Sequence, residues 1–125
     1  MNLLLDTHAM LWWYENPKLL SEEARKAIEN GDNDVFISAV VFWEISIKSM
    51  TGKLVVPDTI YERALTDFFE LPISSNHARM ITNLEPIHTD PFDRLLLSQA
   101  KSENLVLVTR DSLVLKYSDI KFLVA

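Results

Sequence analysis

One continuous apolar segment, Leu105-Val106-Leu107-Val108, constrains the fold more than any other part of the chain. Strands made only of apolar residues are typical of the centre of a parallel sheet, because helices cover both faces of such a strand. The polar residues Thr109-Arg110-Asp111 end the segment. The segment therefore predicts a parallel sheet with helices packed on both of its faces.

Strand and helix signals alternate along the rest of the sequence. Apolar runs predict strands or short extended segments at 2–5, 35–37, 54–56, 71–73 and 120–124. Capping residues, prolines and glycines delimit helices at about 7–15, 22–28, 39–50, 57–69, 75–83, 91–102 and 112–117. No repeat or long linker interrupts the chain, so we expect a single domain over residues 1–125, with an α/β fold and a mostly parallel sheet.

Composition excludes several kinds of site. The chain has no cysteine, which removes disulfides, thiolate zinc sites and thiol catalysis, and its two glycines argue against a glycine-rich phosphate loop. The first residues lack the basic segment and the long apolar run of a signal peptide or membrane anchor, so we expect a soluble cytoplasmic protein. The net charge of −6 is the wrong sign for a nucleic-acid-binding protein. Carboxylates that hold divalent cations would reconcile this charge with a phosphate substrate.

The run His88-Thr89-Asp90-Pro91-Phe92-Asp93-Arg94 concentrates polar side chains immediately before an apolar helix. Asp90 suits the N-cap and Pro91 the first position of that helix. Asp93 then lies in the first turn, near the positive end of the helix dipole. An acidic helix start explains the run by itself, and a functional role for Asp93 depends on other carboxylates lying nearby.

The helix predicted at 39–50 is apolar on nearly all sides, which predicts a buried helix. Glu44 lies in its middle. A buried carboxylate is unfavourable unless it is paired or bound to a metal. Glu44 therefore either pairs with Lys48, one turn later, or belongs to a metal site.

Four acids from four segments are candidates for a shared site. Asp6 ends the first strand, Asp111 follows the most apolar strand, and Glu44 and Asp93 lie on helices next to strands. In open α/β sheets the functional crevice lies at the carboxyl ends of the strands. Oxygen ligands without cysteine select hard cations, so Mg²⁺, or alternatively Mn²⁺, is the expected metal.

The pieces LLLDTHAMLWW, WEISIK, HTDPFDRLLLSQA and LVLVTRD together resemble the PIN-domain family, and more narrowly the VapC-type toxins of bacterial and archaeal toxin–antitoxin pairs. The resemblance covers essentially the whole chain, in order. It implies a compact three-layer α/β/α fold, metal-dependent endoribonuclease activity, a homodimer, and inhibition by a small antitoxin protein.

The resemblance also implies which acids act as metal ligands and catalytic residues. The family's acidic residues correspond to Asp6, Glu44, Asp93 and Asp111. Many relatives carry a further acid a few residues later, but the run DSLVLKY has none before Asp119. The fourth ligand therefore depends on Asp111 alone.

Several polar residues near these acids are candidates for supporting roles. Thr7 and Thr109 would orient carboxylates or water. Asp90 either caps the helix that presents Asp93, which we favour, or is itself a metal ligand. Arg94 and Arg110 either contact phosphate, neutralise the acids, or form surface salt bridges. His88 either contacts the substrate or forms hydrogen bonds within its loop.

The three tryptophans, Trp12, Trp13 and Trp43, lie inside apolar helical segments. A base-stacking surface is one interpretation of such residues. Their apolar surroundings favour another, in which they fill the core or a dimer interface.

The sequence hypothesis is an Mg²⁺-dependent endoribonuclease toxin that cuts RNA by metal-activated water. One alternative is a phosphotransfer or phosphatase-like domain with Asp6 as nucleophile, although position 8 is His rather than a second aspartate. Another is a non-catalytic RNA-binding or scaffold domain of the same fold. The sequence does not specify which RNA is cut.

Overall fold

A five-stranded parallel sheet organises the molecule, and the computed structural model describes all 125 residues. The strands are β1 (Asn2–Leu5), β2 (Asp34–Ser38), β3 (Phe69–Leu71), β4 (Val106–Thr109) and β5 (Lys121–Val124). The helices are α1 (Thr7–Glu15), α2 (Glu22–Glu29), α3 (Ala39–Met50), α4 (Ile60–Asp67), α5 (Ser75–Met80) and α6 (Pro91–Ser102). Single 3₁₀ turns lie at Pro17–Leu19, Ile81–Asn83 and Val114–Lys116.

The strand order is β3-β2-β1-β4-β5, and every neighbouring pair is parallel. In the central strand, Leu3 pairs with Val35 of β2 on one side and with Val106 of β4 on the other. Leu3, Leu4 and Leu5 are completely buried. Because successive side chains point to opposite faces of a sheet, this burial shows that helices cover both faces.

The strand order reverses between β1 and β4. From β1 the chain adds β2 and β3 on one side of the sheet, and β4 and β5 then extend the other side. Connections that leave the sheet in opposite directions open a crevice at the carboxyl ends of the two strands. Asp6 directly follows β1, and Asp111 lies two residues after the end of β4. The topology therefore brings these two acids to the same crevice.

The helix starts have the local causes that the sequence indicates. The side chains of Asp6, Ser21, Ser38, Ser74 and Asp90 each accept a hydrogen bond from a backbone N–H in the first turn of the helix that follows. These bonds satisfy donors that have no partner within the helix. Two of the caps, Asp6 and Asp90, are acids at the carboxyl end of the sheet, so helix initiation and site construction share residues.

Residues 54–56 form neither a strand nor a helix, and α4 spans Ile60–Asp67, which is shorter than the predicted 57–69 because β3 already begins at Phe69. Two predictions about buried helix faces are wrong. The sequence pattern predicts Ala78, Met80 and Ile81 on the inner face of α5, but the side chain facing the core belongs to His77, and Ala78 is exposed. Helix α3 is not buried all round, since Ile47 and Met50 are exposed. No helix has both the length and the apolar character needed to cross a membrane.

None of the tryptophans belongs to the buried core. Trp12 and Trp13 are half-buried, and Trp43 is 45% exposed with its ring packed edge-on against Phe92. Trp12 and Trp13 pack against the edge of the core, whereas the prediction that the tryptophans fill the core is wrong for Trp43. The alternative, that they lie in a dimer interface, stays a prediction.

Candidate active site

A pocket of about 420 Å³ lies at the carboxyl ends of β1 and β4. Five of the residues that line it carry carboxylates: Asp6, Glu44, Asp90, Asp93 and Asp111. We call these five residues and the space between them the acidic pocket. A second cavity of about 380 Å³ beside α3 and α4 is lined mainly by apolar residues and contains none of these acids.

Asp6 connects the sheet to α1 at the floor of the acidic pocket. Its backbone N–H donates to Val108 O of β4 (3.1 Å), and its Oδ1 accepts from Ala9 N in the first turn of α1 (2.8 Å). Burial raises the pKa of Asp6, while hydrogen bonds from the Thr109 hydroxyl and the Ala9 N–H lower it. Asp6 is therefore a buried carboxylate that the fold holds in one place.

The structure confirms the ion-pair interpretation of Glu44, and its role as a metal ligand stays a prediction. It is buried on α3, the Thr7 hydroxyl donates to its Oε1, and Lys48 Nζ lies 2.5 Å from its Oε2. The ion pair with Lys48 is thus present, and the same carboxylate lines the acidic pocket. The Thr7 contact matches the orienting role expected for that residue.

Asp90 and Asp93 divide the tasks at the start of α6. Asp90 is the N-cap, and its Oδ1 accepts from Asp93 N at 3.0 Å. Burial raises the pKa of Asp93 to about 7, and repulsion from Asp90, Glu44 and Asp111 adds to this effect, whereas His88 opposes it. Asp90, as the cap, therefore holds the Asp93 carboxyl group in a place where its charged form is disfavoured.

His88 lies between two carboxylates, closer to them than the sequence indicated. Its Nε2 is 2.9 Å from Asp93 Oδ2 and 3.8 Å from Asp111 Oδ2. This nitrogen is the one buried side-chain polar atom without a hydrogen bond, because its short approach to Asp93 lacks hydrogen-bonding geometry. Donor atoms of His88, Asp93 and Asp111 all lie within 4.8 Å of one another. A cation between these three groups would satisfy all of them.

Asp111 is the most exposed of the four candidate ligands. Its Oδ1 accepts from the N–H groups of Leu113 (2.9 Å) and Val114 (3.0 Å), and its own N–H donates to Thr109 Oγ1 (3.2 Å). Its other oxygen, Oδ2, lies 3.8 Å from His88 Nε2. One oxygen therefore fixes the turn after β4, and the other is directed to the acidic pocket.

The two arginines differ from each other in position. Arg94 lies outside the acidic pocket, where its guanidinium donates to the carbonyls of His88 (3.0 Å) and Ile81 (3.1 Å). Arg110 lines the pocket, donates through Nε to Ala125 O (2.8 Å) and stacks over Trp12 at 4.4 Å. Neither forms an ion pair, so the surface salt-bridge interpretation is wrong for both. The contacts of Arg94 give it a role in fixing the loop that carries His88.

Three further side chains line the acidic pocket: His8, Trp12 and Lys48. The ring of His8 stacks on Trp12 with centroids 5.7 Å apart. For Lys48 the sequence contained a signal, its i+4 spacing from Glu44. For Trp12 the apolar helix suggested the core, but the structure places its ring beside the acids, where an aromatic face could contact a base.

The donor set fits a hard divalent cation. Carboxylate oxygens are the ligands that Mg²⁺ and Mn²⁺ prefer, and an imidazole nitrogen is compatible with Mn²⁺. Burial is the main cause of the raised pKa values of Asp6 and Asp93, and repulsion among the carboxylates adds to it. A divalent cation beside Asp93 and Asp111 would remove that repulsion, and the donor atoms of Asp6 and Glu44 lie outside the group that these two acids form with His88.

Comparison with known proteins identifies the family. The PIN domain model matches residues 3–119, so the chain belongs to the PIN-domain family. The sequence is 28% identical to Ribonuclease VapC22 of Mycobacterium tuberculosis over 113 residues, which cover 87% of this chain and 86% of that relative. The resemblance inferred from the four sequence motifs is thereby confirmed.

Solved structures show the same fold. VapBC2 from Rickettsia felis, bound to a DNA fragment from its promoter, superposes with a TM-score of 0.74 at 17% identity and covers 98% of each chain. DNA-bound VapBC from Salmonella typhimurium gives a TM-score of 0.73 at 18% identity, over 98% of this chain and 97% of that one. The predicted PIN-like α/β fold is confirmed.

Proposed function

We propose that the protein is a divalent-metal-dependent endoribonuclease and acts as the toxin of a toxin–antitoxin pair. The observation that carries the proposal is the acidic pocket at the strand-order reversal of a PIN domain. The similarity to a relative named Ribonuclease VapC22 supports RNA as the substrate. Mg²⁺ is the expected ion, with Mn²⁺ as an alternative.

Each candidate ligand has a defined part in the proposed reaction. Asp6, Glu44, Asp93 and Asp111 would hold the cation, and Thr7, Thr109 and Asp90 fix the carboxylates through the contacts described above. The bound cation would lower the pKa of a water molecule and neutralise charge on the scissile phosphate. Attack by water, rather than by the ribose 2′-hydroxyl, leaves a 3′-hydroxyl and a 5′-phosphate.

The proposal includes two protein partners. The structural relatives include VapBC2, VapBC and a structure titled as a toxin–antitoxin complex from Klebsiella pneumoniae, which supports a small antitoxin as a partner of this chain. Trp43, Ile47 and Met50 are exposed at one-turn spacing on α3 and offer apolar surface for contact with protein. We include a homodimer in the proposal on this basis.

The test is cleavage of structured RNA by protein prepared without an antitoxin. We expect Mg²⁺-dependent cleavage that EDTA abolishes, with 5′-phosphate ends on the products. Asp6→Asn and Asp93→Asn should each lower the cleavage rate by about 100-fold or more, because each removes a charge that holds the cation. Asp32→Asn removes an exposed charge from a turn outside the pocket and serves as the matched control.

Three results would contradict the proposal. Cleavage that persists in EDTA, or is unchanged in both pocket variants, would exclude the metal-dependent mechanism. Trapping of an acyl phosphate on Asp6 would favour the phosphotransfer alternative. Calorimetry that detects neither Mg²⁺ nor Mn²⁺ binding would favour a non-catalytic domain.

A further inference from the structure

Lys48 is the only lysine that lines the acidic pocket. It lies one helical turn after Glu44, and its Nζ is 2.5 Å from Glu44 Oε2. Asp90 and Asp93 also attract its charge. Its side chain is 34% exposed, so the ammonium group lies within the pocket and still reaches solvent.

The Lys48 contact uses an oxygen that the proposed metal site also needs. The Thr7 hydroxyl occupies Glu44 Oε1 and Lys48 occupies Oε2, so each oxygen of this carboxylate already has a partner. An ammonium and a divalent cation bound to the same oxygen repel each other. Binding of either cation to Glu44 must therefore weaken the binding of the other.

The pocket contains few cationic groups for a phosphate. Arg94 lies outside it, and Arg110 is anchored by Ala125 O and the face of Trp12. Lys48 differs because its single strong partner is a carboxylate that the metal would claim. Its flexible four-carbon stem and three N–H donors allow it to change partner while its charge stays in the pocket.

We propose that Lys48 is a phosphate-binding residue that exchanges its ion pair with Glu44 for the RNA backbone when Glu44 binds a divalent cation. The inference rests on the proposed nuclease function. In the resting protein the ammonium neutralises Glu44 and limits repulsion among the acids. In the loaded protein the same ammonium contacts a phosphate oxygen of the RNA.

The exchange predicts two effects of opposite sign in Lys48→Met, which keeps the apolar stem and removes the charge. The affinity for Mg²⁺ alone, measured by calorimetry, should rise about 3–10-fold because the competitor for Glu44 is gone. The kcat/KM for RNA cleavage should fall about 10–100-fold. If Lys48 only positioned Glu44, its loss would lower both the Mg²⁺ affinity and the kcat/KM.

The salt dependence of RNA binding tests the phosphate contact without requiring cleavage. Binding of a labelled RNA oligonucleotide is measured by anisotropy at increasing KCl, with Ca²⁺ in place of Mg²⁺. The slope of log affinity against log salt should fall by about one in Lys48→Met, as for the loss of one phosphate contact. Lys48→Arg keeps the charge and should preserve most of the slope and of the cleavage rate.

Lys26→Met is the matched control. Lys26 forms the same i,i+4 pair with Glu22 at 2.9 Å, but on the exposed surface of α2. Neither the Mg²⁺ affinity nor the salt slope should change in this variant. Thermal melts of every variant establish that it is folded, and Lys48→Gln provides a second neutral substitution if Lys48→Met does not fold.

Each outcome decides the proposal. Unchanged or weaker Mg²⁺ binding in both neutral variants overturns the competition for Glu44, and an unchanged salt slope overturns the phosphate contact. A wild-type protein that binds Mg²⁺ and RNA but never cuts contradicts the proposed nuclease function instead. In that case the calorimetry and the salt slope still decide the role of Lys48.

Discussion

Two groups of polar side chains lie on α3 and α6 and their neighbours, and they differ in how many of their buried atoms have hydrogen-bond partners. In the acidic pocket, carboxylates repel one another and His88 Nε2 has no hydrogen bond. The other group, which we call the amide network, consists of Ser38, His77, Gln99 and Glu103. There Ser38 Oγ donates to Gln99 Oε1 (2.5 Å), and Gln99 Nε2 donates to Pro72 O (3.2 Å).

The amide network continues through His77. The Nδ1 of this buried residue accepts from Ser74 N at 3.0 Å, and its Nε2 lies 2.9 Å from Glu103 Oε1. Every buried side-chain donor and acceptor of the network has a partner. A satisfied network stabilises one arrangement of the helices, whereas a cluster of like charges costs folding free energy. The difference separates a network that stabilises the fold from a pocket whose acids destabilise it and which we propose as the active site.

The largest expected effect on stability comes from breaking the amide network. Gln99→Met removes the acceptor of the buried Ser38 hydroxyl and the side-chain donor to Pro72 O, while Ser38 Oγ still accepts from Val40 N. We expect a loss of about 1–3 kcal/mol in the free energy of unfolding, measured by urea denaturation, because a buried donor that loses its acceptor costs about this much. Ser38→Ala should cost less in the Gln99→Met background than in the wild type. Additive costs would show that the two side chains are not coupled.

Removing a charge from the acidic pocket should raise the free energy of unfolding, whereas breaking the amide network lowers it. The unfolded Asp93 carboxyl ionises near pH 3.8, whereas in the folded protein it keeps its proton until about pH 7. Stability of the metal-free protein therefore falls as pH rises from about 4 to 7 and then levels off. Asp93→Asn removes this loss and should raise the unfolding free energy at pH 8 by about 1 kcal/mol or more, which corresponds to a few degrees in Tm.

Thermal melts in EDTA at pH 4 and pH 8 measure this effect. The difference between wild type and Asp93→Asn should be much smaller at pH 4, where the folded carboxyl is protonated and the unfolded one is only about half ionised. Added Mg²⁺ should raise the Tm of the wild type at pH 8 more than that of the variant. A variant that is less stable than the wild type at pH 8 would show that the ionised carboxylate is well accommodated without a metal.

The smallest expected effect on stability comes from Asp90, which acts both as a helix cap and as a negative charge beside Asp93. Asp90→Asn keeps the oxygen that accepts from Asp93 N, whereas Asp90→Ala loses it. Both variants remove the charge beside Asp93, so the difference between them isolates the cap. We expect Asp90→Ala to be less stable than Asp90→Asn by about 1 kcal/mol in urea denaturation. Equal stabilities would indicate that Asp90 acts through its charge alone.

The sequence predicted correctly the helix starts and strands that depend on residues only a few positions apart. The N-cap and first-turn residues around Asp90, Pro91 and Asp93 mark the start of α6, and Asp6 marks the start of α1. The fully apolar β1 and β4 indicated a covered parallel sheet. These features depend on neighbours within a few positions, so a single sequence is sufficient to predict them.

The errors came from elements whose burial depends on distant partners. The apolar pattern of α3 gave no indication that Ile47 and Met50 face solvent. His77 fills the inner side of α5 because Gln99 of α6 and Glu103, the residue after α6, supply its partners, more than 20 positions away. Trp12 lines the pocket, where Arg110, the residue after β4, stacks over it.

The sequence by itself determined the α/β class, the helix starts and the types of residue that could form an acidic site, because capping, periodicity and motif spacing are properties of contiguous residues. Only the tertiary structure decided which side chains meet. The strand-order reversal between β1 and β4 brings Asp6 and Asp111 together, and packing of α3 and α6 adds Glu44, Lys48 and Asp93. Those contacts join residues far apart in the chain. The repulsion among the acids and the pairing of Glu44 with Lys48 therefore influence one another only after folding has brought these side chains into one pocket.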